Sequence, residues 1–295
     1  MTILVAGLVN LETSAPVESF PIEYAPARYP SGIRSTVSGV GWNVATALGT
    51  LGSRTRLLAA VGDDPAGQVV RAESRAAPFE ALLVPVDRTP QSVILHEPTG
   101  RRTILTDPAG VESLRIDPAV IAASLRDCDL AVLCNVNWTR SMLTPVAQAG
   151  IPIATDLHAV TGLDNPYDAD YLDAAGILFV SGEVLPETPS AFAARVMARA
   201  PADVLGIGLG DRGALVATRR SEPVLIPAPT LRPVVSTTGA GDALLAAFVH
   251  FHVRGMPASD AMRRAVVFAS WTVGTQGGSE GFLTEAALER LLSEL

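Results

Sequence analysis

Short apolar runs recur along the chain and alternate with stretches rich in glycine, proline or helical periodicity. The first run covers residues 2–9 and ends at a glycine-containing turn, which is typical of a central strand of a parallel sheet. We predict further strands at residues 55–61, 129–134, 151–155, 175–180 and 203–208, followed by closing antiparallel strands at 213–218 and 223–227. Runs of this length and composition favour strands that are buried on both faces.

Two stretches depart from this pattern. Residues 16–38 contain four prolines and little helical periodicity, which fits extended edge strands and turns. Residues 91–97 and 101–106 each alternate polar and apolar positions, and Pro98-Thr99-Gly100 between them predicts a turn, so we expect a hairpin here. Exposed edge strands need a cover, which favours a homodimer.

The stretch from Ser236 to Arg254 combines a glycine-rich turn with an apolar helix. Gly239 and Gly241 carry no Cβ, so the backbone can turn tightly and approach a ligand. Residues 243–253 are apolar apart from two histidines, which predicts a buried helix. Its first turn would direct unpaired N–H groups and the positive end of the helix dipole at the loop. We therefore predict a phosphate site.

Asp242 lies in the middle of this predicted anion site. A carboxylate would repel phosphate there unless it had a chemical role, and accepting the proton of a hydroxyl that attacks a phosphoryl group is such a role. The amides of Gly239, Ala240, Gly241 and Asp242 would stabilise the transferred group. Asp is also a preferred N-cap residue, so a purely structural cap is the alternative.

A second glycine-rich entry into a helix occupies residues 39–51. Asn43 falls in the first turn, beside backbone amides that Gly39 and Gly41 leave accessible, which favours substrate recognition. A structural cap is again the alternative. The neighbouring Trp42 either walls the substrate pocket or packs beneath a lid.

These two motifs resemble the signatures of the ribokinase-like (PfkB) carbohydrate and nucleoside kinases. Gly239–Asp242 resembles the second signature, and Ser38–Ala45, with its glycine pair followed by Asn, resembles the first. The two occur in the family's order, and the resemblance covers essentially the whole chain. It implies a single α/β domain over residues 1–295, with a mainly parallel central sheet, helices on both faces and a small β-sheet lid. The lid segments, at about residues 12–37 and 82–107, would close over the sugar and pair with a second subunit.

The resemblance also implies a substrate site and a nucleotide site. Asn10 and Glu12 stand where the family holds sugar hydroxyls, with Glu in place of the usual Asp; the alternative is that both are ordinary loop residues. Asn137 stands where some ribokinases use Glu, which indicates a different substrate. The predicted acceptor site comprises Asn10, Glu12, Gly39, Gly41, Asn43 and Asn137. The predicted nucleotide site comprises Gly208, Gly210, Gly213, Thr238, Gly274 and Gly277.

The metal positions depart from the family's pattern. The family's Asn-x-x-Glu is replaced by Ser181-Gly182-Glu183-Val184, so Glu183 and Asp156 are the candidate ligands of Mg²⁺. The ion could also be held mostly by nucleotide phosphates and water. Ser236 stands where the family frequently has Asp, which puts activation by K⁺ in doubt.

Composition narrows the class of protein. The 295 residues are 48% apolar and 18% charged, which is enough for a substantial core. The net charge is −8 and the sequence has no basic stripe of the kind that binds nucleic acid. No apolar run reaches the roughly 18 residues of a membrane span. The N-terminus lacks signal-peptide features, and Cys128 and Cys134 form no CxxC pair, so we expect a cytoplasmic protein.

We therefore predict an ATP- and Mg²⁺-dependent kinase that phosphorylates a primary hydroxyl of a small sugar or sugar derivative, with Asp242 as the base. The chain has no GxxxxGK[ST] motif, which excludes a P-loop kinase. One alternative is a nucleoside kinase of the same fold, in which Trp42, Tyr24 or Trp138 would face the acceptor. The other is a non-catalytic ligand-binding relative.

Overall fold

The computed structural model describes residues 1–97 and 101–295, and the predicted turn at Pro98-Thr99-Gly100 lies outside the described residues. The described strands are β1 Thr2–Ala6, β2 Asn10–Pro16, β3 Arg34–Ser38, β4 Arg54–Gly62, β5 Glu80–Val86, β6 Gln91–His96, β7 Arg102–Asp107, β8 Leu130–Leu133, β9 Ile153–Ala159, β10 Ile177–Ser181, β11 Val204–Gly208, β12 Ala214–Thr218 and β13 Ser221–Ile226. The described helices are α1 Val40–Thr50, α2 Pro65–Ala76, α3 Pro118–Ser124, α4 Arg140–Gln148, α5 Ala169–Ala174, α6 Pro189–Arg199, α7 Ala240–His252, α8 Ala258–Thr272 and α9 Glu285–Ser293.

The main sheet has the order β13-β12-β11-β10-β9-β8-β1-β4-β5. The strands from β11 to β5 are parallel, and β12 and β13 close the sheet in antiparallel fashion. Helices α1, α2, α7, α8 and α9 cover one face through one hydrophobic core, and α3 to α6 cover the other through a second. This confirms the predicted α/β fold, because parallel strands need apolar cover on both faces.

The strand order reverses between β1 and β8. From β1 the sheet continues to β4 and β5 on one side, and from β8 it continues to β9, β10 and β11 on the other. Connections that leave neighbouring strands in opposite directions open a crevice at their carboxyl ends, where ligands bind in sheets of this kind. Gly7 follows β1 at this point, and a Cβ on it would lie 2.6 Å from Cys134 Sγ and 2.8 Å from the Cα of Gly41. Helix α1 therefore packs directly on the crevice floor.

The second sheet is the predicted lid, with the order β3-β2-β6-β7. Strands β2 and β6 pair in parallel, and the outer pairs are antiparallel. The predicted second lid segment began too early, at residue 82. Residues 82–86 belong to β5, which pairs with β4 at the edge of the main sheet, so the lid part of this segment begins at Gln91.

Other boundaries also differ from the sequence prediction. The first strand ends at Ala6, and Asn10 already begins the lid strand β2. The short helices α3 to α6 and the C-terminal α9 were not predicted as separate elements. Among the described helices, none combines the length and the apolar character that crossing a bilayer requires.

Asp64 ties the beginning of α2 to the segment that leads into the lid. Its carboxylate accepts hydrogen bonds from Gly67 N (2.7 Å), Thr89 N (2.8 Å) and the Thr89 hydroxyl (2.7 Å). Partial burial favours the neutral acid, but the bonds from Thr89 and Gly67 outweigh it and hold the pKa of Asp64 below its ordinary value. The charged form of Asp64 therefore stabilises the folded state.

We predict that Asp64→Ala lowers the free energy of unfolding at pH 7 by about 2 kcal/mol, because a helix cap and a turn lose their acceptor. The neighbouring exposed Asp63 is the matched control, and Asp63→Ala should cost less than about 0.5 kcal/mol. Because the folded pKa is lowered, the contribution of Asp64 is complete above the ordinary pKa of 3.8 and is lost as the pH falls through the folded pKa. Urea unfolding at pH 7 and in acid measures this, and equal costs for both variants would contradict the assignment.

Candidate active site

Helix α7 begins at a backbone turn that only glycine fits. Its N-cap residue, Gly239, has φ of 76°, and a Cβ there would lie 2.5 Å from both Cα and O of Gly278. The first i→i−4 bond of the helix runs from Ala243 N to Gly239 O (2.9 Å). The amides of Gly241 and Asp242 therefore have no acceptor within the helix. Together with the helix dipole, they make the beginning of α7 a candidate anion site.

The loop before α7 uses some of its own donors. The amide of Ala240, predicted to face the anion, donates to Thr237 O at 3.3 Å. The amide of Thr238 donates to the Ser236 hydroxyl at 3.2 Å. Ser236, which replaces the family's Asp, thus shapes the loop, and the uncommitted donors concentrate on Gly241 and Asp242.

A hydrogen bond joins the two signature helices. Asn43, in the first turn of α1 and only 3% exposed, donates from Nδ2 to Asp242 Oδ2 at 2.8 Å. The N-cap residues are Gly39 and Gly239, and neither helix has a side-chain cap bond. The alternatives in which Asn43 and Asp242 act as caps are therefore wrong. The bond orients the carboxylate at the anion site.

The surroundings of Asp242 make its carboxylate more basic than usual. Burial is the main cause, and it raises the pKa of Asp242 to about 6. The hydrogen bond from Asn43 and the charge of His158 act in the opposite direction, while the charges of Asp156 and Glu12 raise the pKa further. A carboxylate with a pKa near neutrality is suited to accept a proton during a reaction.

Asp156 lies in the middle of β9, and its carboxylate borders the beginning of α7. Its Oδ2 would be 3.7 Å from a Cβ placed on Gly241, and its Oδ1 accepts from His158 N at 2.8 Å. His158 is exposed and has φ of 60°, an uncommon conformation for a residue with a side chain. Sequence reasoning missed His158, and its position two residues after Asp156 was the available signal.

Sequence reasoning placed Gly278 only in the loop expected to border the adenine and did not predict its contacts with the two signature helices. It lies against Gly239 on one side, and on the other a Cβ would lie 2.7 Å from Asn43 Nδ2. A larger residue would displace the amide that holds Asp242. The prediction named the neighbouring Gly277, whose φ of 86° shapes the same loop.

The lid strand β2 contributes two of the predicted acceptor residues, Asn10 and Glu12. Asn10 is 3% exposed and donates from Nδ2 to the Ser92 hydroxyl at 2.6 Å. Burial raises the pKa of Glu12, although a hydrogen bond from Ser38 and the charge of Arg102 oppose the rise. A Cβ on Gly39 would lie 3.1 Å from Asn10 Oδ1, so the lid strand and the first signature meet here.

Two buried amide oxygens at this site have no hydrogen-bond partner among residues 1–97 and 101–295. They are Asn10 Oδ1 and Asn43 Oδ1. A buried acceptor without a partner carries a free-energy cost, and such groups in native proteins call for an explanation. Hydroxyl groups of a bound ligand would satisfy both oxygens.

Other predicted site residues have local structural partners. Asn137 donates from Nδ2 to Glu112 O (2.6 Å) and accepts from Arg140 Nε (3.4 Å), which ties it to neighbouring segments. Glu183 is exposed, and its amide donates to the Ser181 hydroxyl at 3.3 Å. No contact of these two side chains connects them with Asp242 in the described part of the chain, and their predicted roles stay predictions.

Several of the predicted nucleotide glycines have φ angles or close contacts that favour glycine. Gly210 and Gly213 have φ of 62° and 96° in the turn between β11 and β12, and a Cβ on Gly213 would overlap the Ile226 carbonyl. Gly208 O accepts from Gly182 N at 2.7 Å. A Cβ on Gly274 would overlap the Arg232 side chain. The conformations of Gly210 and Gly213 and the crowding at Gly274 account for three of these glycines without a ligand, whereas a Cβ on Gly208 would make only ordinary contacts. Their nucleotide role stays a prediction.

The described residues form no protein cage for a metal. Within residues 1–97 and 101–295, no three His, Cys, Asp or Glu side chains are grouped so as to hold an ion. Mg²⁺ commonly binds one or two carboxylates together with phosphates and water. Asp156, which faces the anion site, fits that arrangement, whereas Glu183 is an exposed turn residue.

Comparisons with known proteins agree with this geometry. The model of the pfkB family carbohydrate kinases matches residues 2–285. The acarbose 7(IV)-phosphotransferase of Actinoplanes sp. is 29% identical over 293 residues, which cover 98% of this chain and 97% of that protein.

Solved structures have the same fold. A microbiome-derived acarbose kinase superposes with a TM-score of 0.90 at 29% identity and covers 99% of this chain and 98% of its own. The ribokinase of Arabidopsis thaliana, complexed with ribose and ATP, superposes with a TM-score of 0.84 at 22% identity and covers 98% of each chain. These matches confirm the fold and the family that the two glycine motifs predict. The chain belongs to the pfkB family of carbohydrate kinases.

Proposed function

We propose that the protein transfers the terminal phosphoryl group of ATP to a primary hydroxyl of a sugar or sugar derivative, with Asp242 as the base. The observation that supports this most directly is the 2.8 Å bond by which Asn43 orients Asp242 at the anion site of α7. Membership of a carbohydrate kinase family supports the reaction type.

The proposed step is an in-line displacement at phosphorus. The acceptor hydroxyl gives its proton to the Asp242 carboxylate, and its oxygen forms a bond to the γ-phosphorus. The bond between that phosphorus and the bridging oxygen breaks, and ADP leaves with the bonding electrons. The amides of Gly241 and Asp242 stabilise the charge on the transferred group. Closure of the lid excludes water, which would otherwise compete as the acceptor.

The acceptor binds between the lid and the crevice floor in this proposal. Its hydroxyls donate to Asn10 Oδ1 and Asn43 Oδ1, the two buried oxygens without a partner, and Glu12 accepts a further hydroxyl. The two relatives that are 29% identical are both described as acarbose kinases. Acarbose therefore belongs among the first acceptors to examine, beside simple sugars.

The nucleotide would occupy the side of the crevice formed by Gly208, Gly210, Gly213, Thr238, Gly274 and Gly277. Mg²⁺ would be held by the phosphates and by Asp156, and it would neutralise phosphate charge. Ser236 supplies no carboxylate for K⁺, so we expect no strong activation by that ion.

An aromatic ring that faces the acceptor would favour the nucleoside kinase alternative. Trp42 packs edge-on against Phe79 at 5.1 Å. Trp138 is 1% exposed within the second core. Tyr24 is 93% exposed and no contact ties it to the crevice among the described residues.

A homodimer through the lid remains a proposal. By the alternation of strand residues, Val93 and Leu105 lie on the lid face opposite Asn10, and both are exposed. An apolar outer face of this kind would be covered by a second copy of the lid.

We predict that Asp242→Asn lowers kcat by about 10²–10⁴-fold, because the amide cannot accept the proton. The affinity for ATP should stay within about threefold of wild type, since the amides of the anion site are unchanged. The measurement is ADP release from Mg·ATP with acarbose, simple sugars, sugar phosphates and nucleosides as acceptors. Turnover by the variant at the wild-type rate would contradict the base role, and no turnover by the wild type with any acceptor would contradict the proposed function.

We also predict an acidic limb in the pH profile. Since only the ionised carboxylate accepts a proton, kcat/KM for the acceptor should fall tenfold per unit below a pH of about 6 and level off above it. The bond from Asn43 lowers the pKa of Asp242, so Asn43→Ala should move the limb to higher pH. A limb that does not move in Asn43→Ala would show that another group titrates.

A further inference from the structure

One face of the lid sheet looks toward the anion site. In the β6–β7 pair, Ser92 lies opposite Thr106 and His96 opposite Arg102, so alternation places all four side chains on the same face. Ser92 is the hydrogen-bond partner of Asn10. Arg102 therefore shares the lid face that carries the acceptor residues.

Arg102 bridges the lid and the loop that precedes α7. Its NH1 donates to the Thr237 hydroxyl at 2.7 Å, a contact between residues 135 positions apart. Thr237 lies two positions before the N-cap residue Gly239, and its carbonyl accepts from Ala240 N. The guanidinium is thus held beside the loop that forms the anion site.

The site has an excess of carboxylates that a cation would balance. The charges of Glu12 and Asp156 both act on Asp242 and raise its pKa, and a triphosphate would add further negative charge. The charge of Arg102 reaches Glu12, whose pKa it lowers against the effect of burial. Arg102 is therefore close enough to act on both the acceptor side and the phosphate side.

The opposite edge of the lid offers an informative contrast. Arg34, on the other edge strand β3, donates to Gln276 Oε1 (2.9 Å) and to Glu280 Oε1 (2.8 Å). Its charge is neutralised by a carboxylate. Arg102 is held by a neutral hydroxyl, and no carboxylate lies within ion-pair distance of it among the described residues. The bond to Thr237 also uses only one of five N–H donors.

We infer that Arg102 is a catalytic residue that the lid supplies: when the lid closes, its guanidinium binds the terminal phosphoryl group of the bound nucleotide. The inference rests on the phosphoryl transfer proposed above. A planar guanidinium matches two phosphate oxygens at once and stays charged at all relevant pH. It would stabilise the charge that spreads over the oxygens of the transferred group, and it would tie this stabilisation to lid closure.

The first experiment measures nucleotide affinity by calorimetry, because it needs no acceptor. For the full chain, Arg102→Ala should lower the affinity for Mg·ATP about tenfold or more and the affinity for Mg·ADP less than about twofold, since only ATP carries the terminal group. Arg34→Ala removes the same charge from the other lid edge and should leave the ratio of the two affinities unchanged. The inference would be overturned if Arg102→Ala lowered the affinities for ATP and ADP equally. It would also be overturned if Arg34→Ala changed the ratio of the two affinities as much as Arg102→Ala does.

Thr237→Val tests whether Arg102 contacts the phosphate or only holds the lid in place. It removes the hydroxyl that holds Arg102 but leaves the guanidinium, so its effect on the ATP affinity should be clearly smaller than that of Arg102→Ala. Equal effects would show that Arg102 serves only to fasten the lid. Arg102→Gln repeats the comparison with a side chain that can still bond to Thr237, and it should lose ATP affinity as Arg102→Ala does.

Turnover supplies the second test. Arg102→Ala should lower kcat by about 10²–10³-fold with the acceptor KM within about threefold, and millimolar guanidinium should restore part of the rate. A raised acceptor KM with unchanged kcat would overturn the catalytic role. If the wild type phosphorylates no acceptor, the proposed function fails, and the calorimetry still decides whether Arg102 recognises the terminal phosphate.

Discussion

The hydrogen bond between Asn43 and Asp242 requires two helices to begin at nearly the same point, although their sequences are far apart. Backbone contacts that leave no room for side chains make this possible. Gly41 lies against Gly7, and Gly278 fills the space between the beginning of α7 and Asn43. A methyl group at any of these positions would separate the helices by a few tenths of an ångström or more and turn the carboxylate away from the anion site.

The proposed site places carboxylates beside an anionic phosphate, and two kinds of positive charge can offset their repulsion. Backbone amides and the helix dipole supply partial charges that are fixed in place and need no ionised side chain. Arg102, on the lid, supplies a further positive charge at the rim. The overall charge of −8 is therefore no obstacle to nucleotide binding, because local groups determine the potential in the crevice.

The proposed base and the proposed lid contacts to the acceptor lie on different sheets. Asp242 and Asp156 are positioned by elements of the main sheet, whose helices cover it on both faces. Asn10 and Glu12 lie on a four-stranded lid whose two edge strands contact the loops around the anion site through arginines. Acceptor contacts can thus change by substitution in the lid without disturbing the base, which agrees with a family whose members accept different substrates.

The sequence alone was sufficient for the parallel strands and for the glycine turn that begins α7, because each depends on periodicity or on glycines within a few residues. The sequence prediction placed residues 82–86 in the lid, because an edge strand of the main sheet and a lid strand have similar sequence patterns. Only the tertiary structure identified the contacts of Gly278, His158 and Arg102. Their roles arise from contacts across the chain, and a local pattern carries no information on which distant side chain will face it.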